Sequence, residues 1–401
     1  MNEVRNPIRS AADSPAADAS RPLKVLVVTI DLAGGTGTFC RILAAGLKRY
    51  HGGEFTTPLL LLRDREVTDA DRALFDGVSV IGSNVNTDWR RWVEAPLHAR
   101  RLRRAVRDSD ADVIFTVGAY ANMLAPRGAR GRPVVLSVHV HATRQLRDTR
   151  FGDVTGWLMR RLYRRYPVVT PASDVSADLQ AHFNVRRAVT IPHGIDTEAV
   201  ASLSTERVDD LPARAPYLAA CGRLTLQKDY ATLIRAYARA RGQGVAEDLV
   251  IIGEGDERPA LQQLIDALGL SAHVHLIGHR PNPFPYMRGA RFFVLSSVWE
   301  GFGLVLLEAM ALGLPCVSTD CPSGPGEILR GGESGVLVPT GDEAALGNAL
   351  VRLAASEEER RRFRERSLVR ASELSLERMA RAYRDLFVQE LADVRERGGG
   401  R

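Results

Sequence analysis

The sequence predicts an α/β protein in which two Rossmann-like domains, each built on a parallel sheet, face one another across a cleft. Its 401 residues exceed what a single hydrophobic core usually serves. Short apolar runs alternate with amphipathic helical segments along the chain, as in parallel sheets. The polar, proline-bearing stretch Thr197–Pro216 separates two such series and indicates a linker. We therefore expect a disordered tail at 1–20, domains at 21–196 and 197–375, and a C-terminal helix and tail at 376–401.

The composition fits a globular protein, with 45% hydrophobic and 25% charged residues. The four cysteines lack C-x-x-C spacing, which favours reduced thiols over a disulfide framework or a zinc site. Apolar runs stay well short of the roughly 20 residues that span a bilayer. Residues 1–20 lack the apolar segment of a secretory signal. These observations predict a cytoplasmic protein.

The net charge of +6 is distributed unevenly. Arginines crowd two segments of the first domain: Arg90, Arg91, Arg100, Arg101, Arg103, Arg104 and Arg107, then Arg144, Arg147, Arg150, Arg160, Arg161, Arg164 and Arg165. Nearby Trp89, Trp92, Trp157 and Leu158 suit an anionic bilayer surface, where each basic residue contributes about 1 kcal/mol. Solvated helix faces would look the same, so both readings stay open. Nucleic acid is disfavoured because no binding motif accompanies the charge.

The first domain begins with the β-branched strand Lys24–Ile30, a glycine-rich segment and a helix to about Tyr50. Cys40 stands where a dinucleotide-binding G-x-G-x-x-G needs its third glycine, and no Gly-Lys-Ser/Thr completes a P-loop. Further strands are predicted at Pro58–Leu62, Val78–Ile81, Asp112–Gly118, Pro133–His139 and Val168–Thr170, with helices at Trp89–Arg107 and Trp157–Tyr166 and a helix capped by Ser173 or Asp174. Because open α/β sheets bind ligands at the carboxyl ends of their strands, His139 is the candidate here, with His141 competing.

The second domain begins with the strand Tyr217–Cys221 and a glycine-led turn that opens the helix Tyr230–Arg241. Arg223 and Lys228 lie five residues apart in that turn. A planar guanidinium fork and a point charge in this arrangement can grip a diphosphate from two sides. An ordinary basic surface turn is the alternative.

Residues 291–320 contain a strand at Phe292–Ser297, a glycine-broken turn and a helix over Gly303–Leu312. This geometry aims free backbone N–H groups at an anion. Glu300 in the turn and Glu308 on the helix can face one cleft, and their carboxylates would accept from sugar hydroxyls. The segment therefore suits a nucleotide sugar, although solvated glutamates often show the same spacing.

Four motifs resemble those of retaining glycosyltransferases of family 4 (GT4, glycosyltransferase group 1), which have the GT-B fold. Glu300–Ala309 (EGFGLVLLEA) resembles their E-x7-E segment, and GRLTLQKD at 222–229 resembles G-R-L-x-x-x-K-[GD]. PHGID at 192–196 resembles P-N-G-[VI]-D with His193 replacing asparagine. DCPSGPGEIL at 320–329 is similar to a subgroup acting in bacterial surface-polysaccharide assembly, with Gly326 where many relatives have arginine. The resemblance covers about residues 23–390.

The resemblance implies retaining transfer of a hexosyl or N-acetylhexosaminyl group from a nucleoside-diphosphate sugar, UDP-linked in our expectation, to a glycan or lipid-linked acceptor. His139 would lie near the donor sugar and acceptor, Glu300 would orient the sugar, and Glu308 would bind the ribose. The other implied donor contacts are Gly34, Gly35 and Thr36 at the phosphate and sugar, Arg223, Lys228, Phe302, Gly303 and Leu304 at the diphosphate, and Gly278, His279 and Arg280 at the base.

No cofactor and no metal are expected, because basic residues would neutralise the diphosphate. The D-x-D sequences at 69–71, 108–110 and 110–112 lie in helices or helix–strand junctions rather than in a cleft turn. A nucleotide-sugar epimerase or a phosphorylase could share the fold. A nicotinamide oxidoreductase would need the missing G-x-G-x-x-G, and a solute-binding protein would need a signal peptide.

Overall fold

The computed structural model describes residues 21–63, 67–82, 88–147, 152–211 and 216–399. In these ranges two parallel sheets confirm the predicted fold. The N-terminal sheet has the order β4-β3-β1-β5-β6-β7-β8, with β2 paired to β1. Its strands are β1 Leu23–Thr29, β2 Phe55–Thr56, β3 Leu59–Leu61, β4 Val78–Val80, β5 Val113–Val117, β6 Val134–Ser137, β7 Val168–Thr170 and β8 Ala188–Thr190. The central strands β1, β5, β6 and β7 are rich in β-branched residues and largely buried, as expected for a sheet that helices cover on both sides.

Helices connect these strands and cover both faces of the sheet. They are α1 Gly34–His51, α2 Asp69–Leu74, α3 Asp88–Asp108, α4 Ala119–Leu124, α5 Ala142–Arg147, α6 Gly152–Tyr163 and α7 Ser173–Phe183, with a short 3-10 helix at Ala125–Gly128. Leu102 of α3 and Met159 of α6 belong to one buried cluster, with α4 packed between the two helices. The two arginine-rich helices, distant in sequence, therefore cover the same face of the sheet.

The C-terminal sheet has the order β11-β10-β9-β12-β13-β14. Its elements are α8 Thr197–Leu203, β9 Tyr217–Cys221, α9 Tyr230–Gly242, β10 Asp248–Ile252, α10 Arg258–Ala267, β11 Val274–Leu276, α11 Phe284–Arg288, β12 Ala290–Leu295, α12 Leu304–Ala311, β13 Cys316–Thr319, α13 Pro325–Ile328, β14 Val336–Val338, α14 Glu343–Ala355 and α15 Glu357–Glu373, with a short 3-10 helix at Arg330–Gly332. Helices α9 and α14 pack together over a buried cluster on one face of this sheet.

The last helix, α16 (Leu376–Gly399), packs on the N-terminal lobe. Tyr383 of α16 lies 5.9 Å from the ring of Phe39 in α1 and 5.6 Å from that of Phe115 in β5. These rings are almost fully buried. The chain therefore crosses from the first lobe to the second and returns.

The two crossings run side by side near Ile195. The Ile195 amide N–H donates to the Leu374 carbonyl at 2.9 Å, and the Leu376 N–H donates to the Ile195 carbonyl at 2.9 Å. A Cβ on Gly194 would lie 2.6 Å from the Ser375 carbonyl oxygen, so only glycine allows this approach. These two hydrogen-bonded segments are the covalent connections between the two lobes.

Two local predictions were wrong. The linker begins with helix α8, because the Asp196 carboxylate accepts from the Ala199 N–H and caps its amino end. Neither Ser173 nor Asp174 caps α7, whose N-cap position is Ala172. Predictions on the tail at 1–20, on Arg150, and on the side chains of Trp89, Arg90, Arg91, Trp92, Arg144 and Arg147 lie outside the described part of the chain.

Candidate active site

The candidate site is a cleft where the carboxyl ends of the two sheets meet. The turn after β12 packs on the end of β6, and a Cβ on Gly301 would lie 2.9 Å from the His139 carbonyl oxygen. Across the same contact, the Phe302 and His193 rings have centroids 5.0 Å apart. The ends of β6 and β12, more than 150 residues apart in the sequence, thus form one site.

Lys228 and Glu300 form a buried ion pair in this cleft. The Lys228 ammonium donates to Glu300 Oε1 at 2.6 Å, with side-chain exposures of only 13% and 7%. The Ser297 hydroxyl donates to the same carboxylate oxygen at 2.6 Å. The Ser296 hydroxyl, in turn, donates to the Lys228 carbonyl at 2.7 Å. The turns after β9 and β12 are therefore tied together through side chain and backbone.

The turn after β9 depends on glycines at closely packed positions. Gly222 has φ +152°, and a Cβ there would lie 3.0 Å from both Lys228 Cε and the Tyr230 hydroxyl. A Cβ on Gly253 would lie 1.9 Å from the Gly222 carbonyl oxygen. Arg223 follows at the exposed edge of the turn and forms no ion pair with a described residue. The guanidinium is thus available to an anionic ligand, whereas Lys228 already has one partner.

Glu308 lies on α12 beside this pair. Burial raises the pKa of its carboxyl to about 7, and the positive charge of Lys228 opposes the rise. Burial raises the pKa of the Cys221 thiol at the end of β9, and the negative charge of Glu308 raises it further. Lys228, Glu300 and Glu308 are thus electrostatic neighbours in one enclosed place.

The amino end of α12 is open. Gly303 holds the N-cap position in the left-handed region with φ +93°, and no side chain caps the helix. Uncapped N–H groups and the helix dipole favour an anion at this end. Leu304, the first helical residue, is therefore well placed for a diphosphate.

The glycine-rich segment of the N-terminal lobe forms the first turn of α1. Gly34 has φ +61°, and a Cβ on Gly34 or Gly35 would meet open space, while Thr36 is partly buried. Gly37 is the sterically constrained position, since its Cβ would lie 1.8 Å from the Leu32 carbonyl oxygen. The open side at Gly34 and Gly35 leaves room for a ligand there.

His139 is held inside an aromatic stack. Its Nε2 lies 2.6 Å from the Ser137 hydroxyl and its Nδ1 lies 3.1 Å from His193 Nε2. Its ring packs 4.4 Å from that of Phe39, and burial lowers its pKa to about 4. Both ring nitrogens are engaged in this conformation, so the catalytic role of His139 stays a prediction. His141, the competing candidate, instead hydrogen-bonds Asp174 at 3.2 Å.

The predicted base site lies at the turn after β11. Gly278, with φ +82°, accepts from the Gly253 N–H at 2.9 Å, and His279 is exposed. The Arg280 guanidinium lies 2.7 Å from Asp210 and 5.2 Å above the Tyr286 ring. The Arg280 side chain is therefore committed to packing, which leaves the backbone of this turn for a base.

Three residues of the cleft make contacts that the sequence did not predict. Ser297 orients Glu300, the Tyr230 hydroxyl is buried beside Gly222 without a hydrogen-bond partner, and His193 joins the stack between the lobes. Ser297, three residues before Glu300, had a usable signal in its position at a strand end. The other two depend on contacts that form only when distant turns meet.

Carboxylates of the D-x-D sequences are engaged elsewhere. Asp71 pairs with Arg41 at 2.7 Å, and Asp110 pairs with Lys24 at 2.6 Å. In the described ranges no group of three or more His, Cys, Asp or Glu residues is arranged to hold a metal ion. None of the described helices is both long and apolar enough to cross a membrane.

Two Rossmann-like lobes that enclose a cation–carboxylate cluster beside an open helix end define a glycosyltransferase of the GT-B class. Family models agree over both lobes. The model described as Glycosyltransferase Family 4 matches residues 33–199, and that described as Glycosyl transferases group 1 matches residues 205–369.

Relatives agree with this class. The chain is 32% identical over 288 residues to a phosphatidyl-myo-inositol mannosyltransferase of Mycobacterium leprae, covering 67% of this chain and 71% of the relative. It is 27% identical over 298 residues, 73% of this chain and 80% of the relative, to a Campylobacter jejuni protein. That protein is named N-acetylgalactosamine-N,N'-diacetylbacillosaminyl-diphospho-undecaprenol 4-alpha-N-acetylgalactosaminyltransferase. The chain belongs to glycosyltransferase family 4.

Solved structures show the same fold. Anabaena Alr3699/HepE, crystallised in complex with UDP, superposes with a TM-score of 0.76 at 20% identity, covering 92% of this chain and all of that chain. At this identity the likeness concerns the fold alone.

Proposed function

We propose that this enzyme transfers a hexosyl or N-acetylhexosaminyl group from a UDP-sugar to a lipid-linked or glycan acceptor in cell-surface polysaccharide assembly, with retention at the anomeric carbon. The observation that carries the proposal is the cluster of Lys228, Glu300 and Glu308 beside the open amino end of α12. It offers positive charge for a diphosphate and carboxylates for two sets of sugar hydroxyls.

The diphosphate is the first partner of this cluster. Two of the three Lys228 ammonium protons remain after the bond to Glu300, and Arg223 has no competing acid among the described residues. Together with the N–H groups at Leu304, they neutralise charge on the departing diphosphate. Such preorganised electrostatic stabilisation is usually the largest catalytic contribution.

Glu300 and Glu308 bind the two sugars on either side of the diphosphate. Ser297 and Lys228 fix the Glu300 carboxylate, which keeps lone pairs for hydroxyls of the transferred sugar. Glu308 accepts from the ribose hydroxyls when it is ionised. A ligand that donates hydrogen bonds favours that ionised form and offsets the burial that opposes it.

In the transfer step, the bond between the anomeric carbon and the diphosphate oxygen breaks while the acceptor oxygen bonds the same carbon from the same face. The acceptor proton moves to the leaving phosphate oxygen, so no separate base is needed. We propose that no metal takes part, since Arg223 and Lys228 supply the positive charge.

The choice of UDP and of a lipid-linked acceptor draws on the relatives. The HepE structure contains UDP, and the Campylobacter jejuni protein is named for a diphospho-undecaprenol acceptor. Neither observation assigns the sugar carried by this chain.

A membrane-facing acceptor fits one surface of the N-terminal lobe. On α6, Val154 and Trp157 are 66% and 61% exposed, beside Arg161. On α3, Leu97 is 48% exposed near the arginines at 100–107. Because both helices cover one face of the sheet, apolar and basic side chains combine there as an interfacial surface requires. We propose that this face contacts anionic lipid on the inner side of the plasma membrane.

The direct experiment is a thermal-shift screen of nucleotide sugars, followed by transfer to an undecaprenyl-diphosphate-linked acceptor with the anomeric configuration of the product determined by NMR. We expect one UDP-sugar to stabilise the protein and to be transferred with retention. Epimerisation or phosphorolysis of that donor, an inverted product, or stoichiometric binding without turnover would contradict the proposal.

A further inference from the structure

Two segments that face each other across the cleft exchange hydrogen bonds. The Ser173 N–H and hydroxyl, at the amino end of α7, donate to Glu327 Oε2 at 2.8 and 2.9 Å. In the opposite direction, the Ser323 N–H donates to Asp174 Oδ2 at 2.6 Å. Each lobe supplies one carboxylate and receives one from the other lobe. We refer to Ser173, Asp174, Ser323 and Glu327 as the cleft clasp.

Glu327 completes a helix that belongs to the other lobe. The N-cap position of α7 is Ala172, which has no side-chain acceptor for the free N–H groups. The Glu327 carboxylate satisfies the Ser173 N–H and places negative charge at the positive end of the helix dipole. Opening the cleft would remove this acceptor. The capping of α7 therefore depends on contact between the two lobes.

Asp174 is held in place from its own lobe. Its Oδ1 accepts from the Val175 N–H at 2.8 Å, and its Oδ2 lies 3.2 Å from His141 Nε2. Burial opposes ionisation of Asp174, but the hydrogen bonds from His141 and Ser323 outweigh it and lower its pKa. Hydrogen bonds to Asp174 and Asp178 raise the pKa of His141 to about 9. Near neutral pH the carboxylate is therefore ionised beside a protonated imidazole.

The clasp is directly connected to the turn that carries Glu300. The Glu300 N–H donates to the Pro322 carbonyl at 3.2 Å, one residue before Ser323. One residue after it, a Cβ on Gly324 would lie 1.8 Å from the Phe302 carbonyl oxygen. Ser323 thus lies between two contacts with the turn at 300–303, which we call the donor turn. These contacts couple the backbone of Ser323 to that of Glu300 and Phe302.

We propose that Asp174 and Glu327 are positioning residues whose reciprocal hydrogen bonds close the two lobes and, through Ser323, set Glu300 in its position for transfer. The acceptor-side lobe thereby controls the geometry of the donor turn. The positioning role of the clasp rests on the transfer reaction proposed above, whereas closure of the lobes does not. Closure itself is a property of the chain without any substrate.

The first measurement tests closure in the ligand-free full chain. Small-angle X-ray scattering would compare the wild type with Glu327→Ala, Asp174→Ala and Glu343→Ala. Glu343 lies in the same lobe as Glu327, pairs with Arg235 of that lobe and takes part in none of the clasp contacts, so it serves as the matched control. We expect both clasp variants to increase the radius of gyration, with the control unchanged. Equal radii for the clasp variants and the wild type would overturn the clasp.

The second measurement tests positioning. With the UDP-sugar found in the screen, we expect Glu327→Ala and Asp174→Ala to lower kcat/KM about tenfold, as expected for loss of a hydrogen bond to a charged group. Asp174→Asn keeps an oxygen that can accept from the Ser323 N–H and should retain more activity than Asp174→Ala. The double variant should fall little below the worse single variant, because one cleft opens only once.

The two measurements fail separately. Unchanged kcat/KM in variants with an enlarged radius would overturn the positioning step and leave closure standing. If the wild type transfers no sugar, the proposed function fails, while the scattering result still judges the clasp. Circular dichroism and melting of each variant exclude unfolding as the cause, and Glu327→Ala is the safer variant because its side chain caps no helix of its own lobe.

Discussion

The raised pKa of Glu308 makes a quantitative prediction about stability. Its carboxyl has an ordinary pKa of 4.5 and one of about 7 in the fold. The folded protein therefore binds this proton more tightly than the unfolded chain does. The contribution of Glu308 to stability falls as pH rises from about 4.5 to about 7 and is constant above that window. By linkage, the loss between pH 5 and pH 8 is ~2–3 kcal/mol.

Glu308→Gln removes this titration and keeps the shape of the side chain. We expect the melting temperature of the variant to gain on that of the wild type by about 5–10 °C between pH 5 and pH 8, using the sensitivity of domains near 200 residues. Differential scanning calorimetry over this pH range measures the gain. Glu343→Gln, which changes only the surface pair with Arg235, is the control and should show no such trend.

The same substitution should weaken donor binding. A hydrogen bond to a charged acceptor contributes about 1.5 kcal/mol or more, so UDP affinity at pH 8 should fall about tenfold or further. In the wild type, affinity should rise with pH through about 7 as Glu308 ionises. Isothermal titration calorimetry with UDP follows both effects. A melting difference that is equal at pH 5 and pH 8 would refute the reasoning about Glu308.

Three further predictions concern the ion pair, metals and the membrane. Lys228→Ala should lower turnover at least tenfold and destabilise the fold by ~3 kcal/mol or more, because Glu300 stays buried without its cation. Adding Glu300→Gln should restore the melting temperature but not turnover. Recovery of both would contradict the assignment. Transfer should persist in EDTA, and complete loss restored by Mn²⁺ would refute the proposed metal independence. Sedimentation with anionic vesicles should weaken as salt rises and in Arg161→Glu or Trp157→Ala, whereas salt-insensitive or absent binding would remove the proposed membrane face.

Much of the fold could be predicted because strands and helices follow from the local pattern of apolar and polar residues. The continuous β-branched run at Lys24–Ile30 and the short apolar run at Tyr217–Cys221 specify buried parallel strands, and both lie in the predicted sheets. The prediction of an irregular linker was wrong, because the Asp196 carboxylate caps α8 within a segment whose composition suggests irregular structure. A single capping contact outweighed composition there.

The site was predictable in its chemistry and less so in its contacts. The spacing of Glu300 and Glu308 and the turn bearing Lys228 pointed to one cleft, but nothing local indicated that Lys228 and Glu300 form a direct buried pair. His139 was singled out by its place at a strand end. Its engagement by Ser137 and His193 depends on neighbours that the sequence does not identify.

The sequence by itself determined the two sheets, the glycine-led turns and the charge types available at the strand ends, since these depend on periodicity and backbone conformation within about ten residues. Only the tertiary structure decided that Glu327 caps α7, that Ser323 joins Asp174 to the donor turn, and that α3 and α6 share a face. Such contacts join residues far apart in the chain. They arise from how the lobes pack, and no local pattern records that packing.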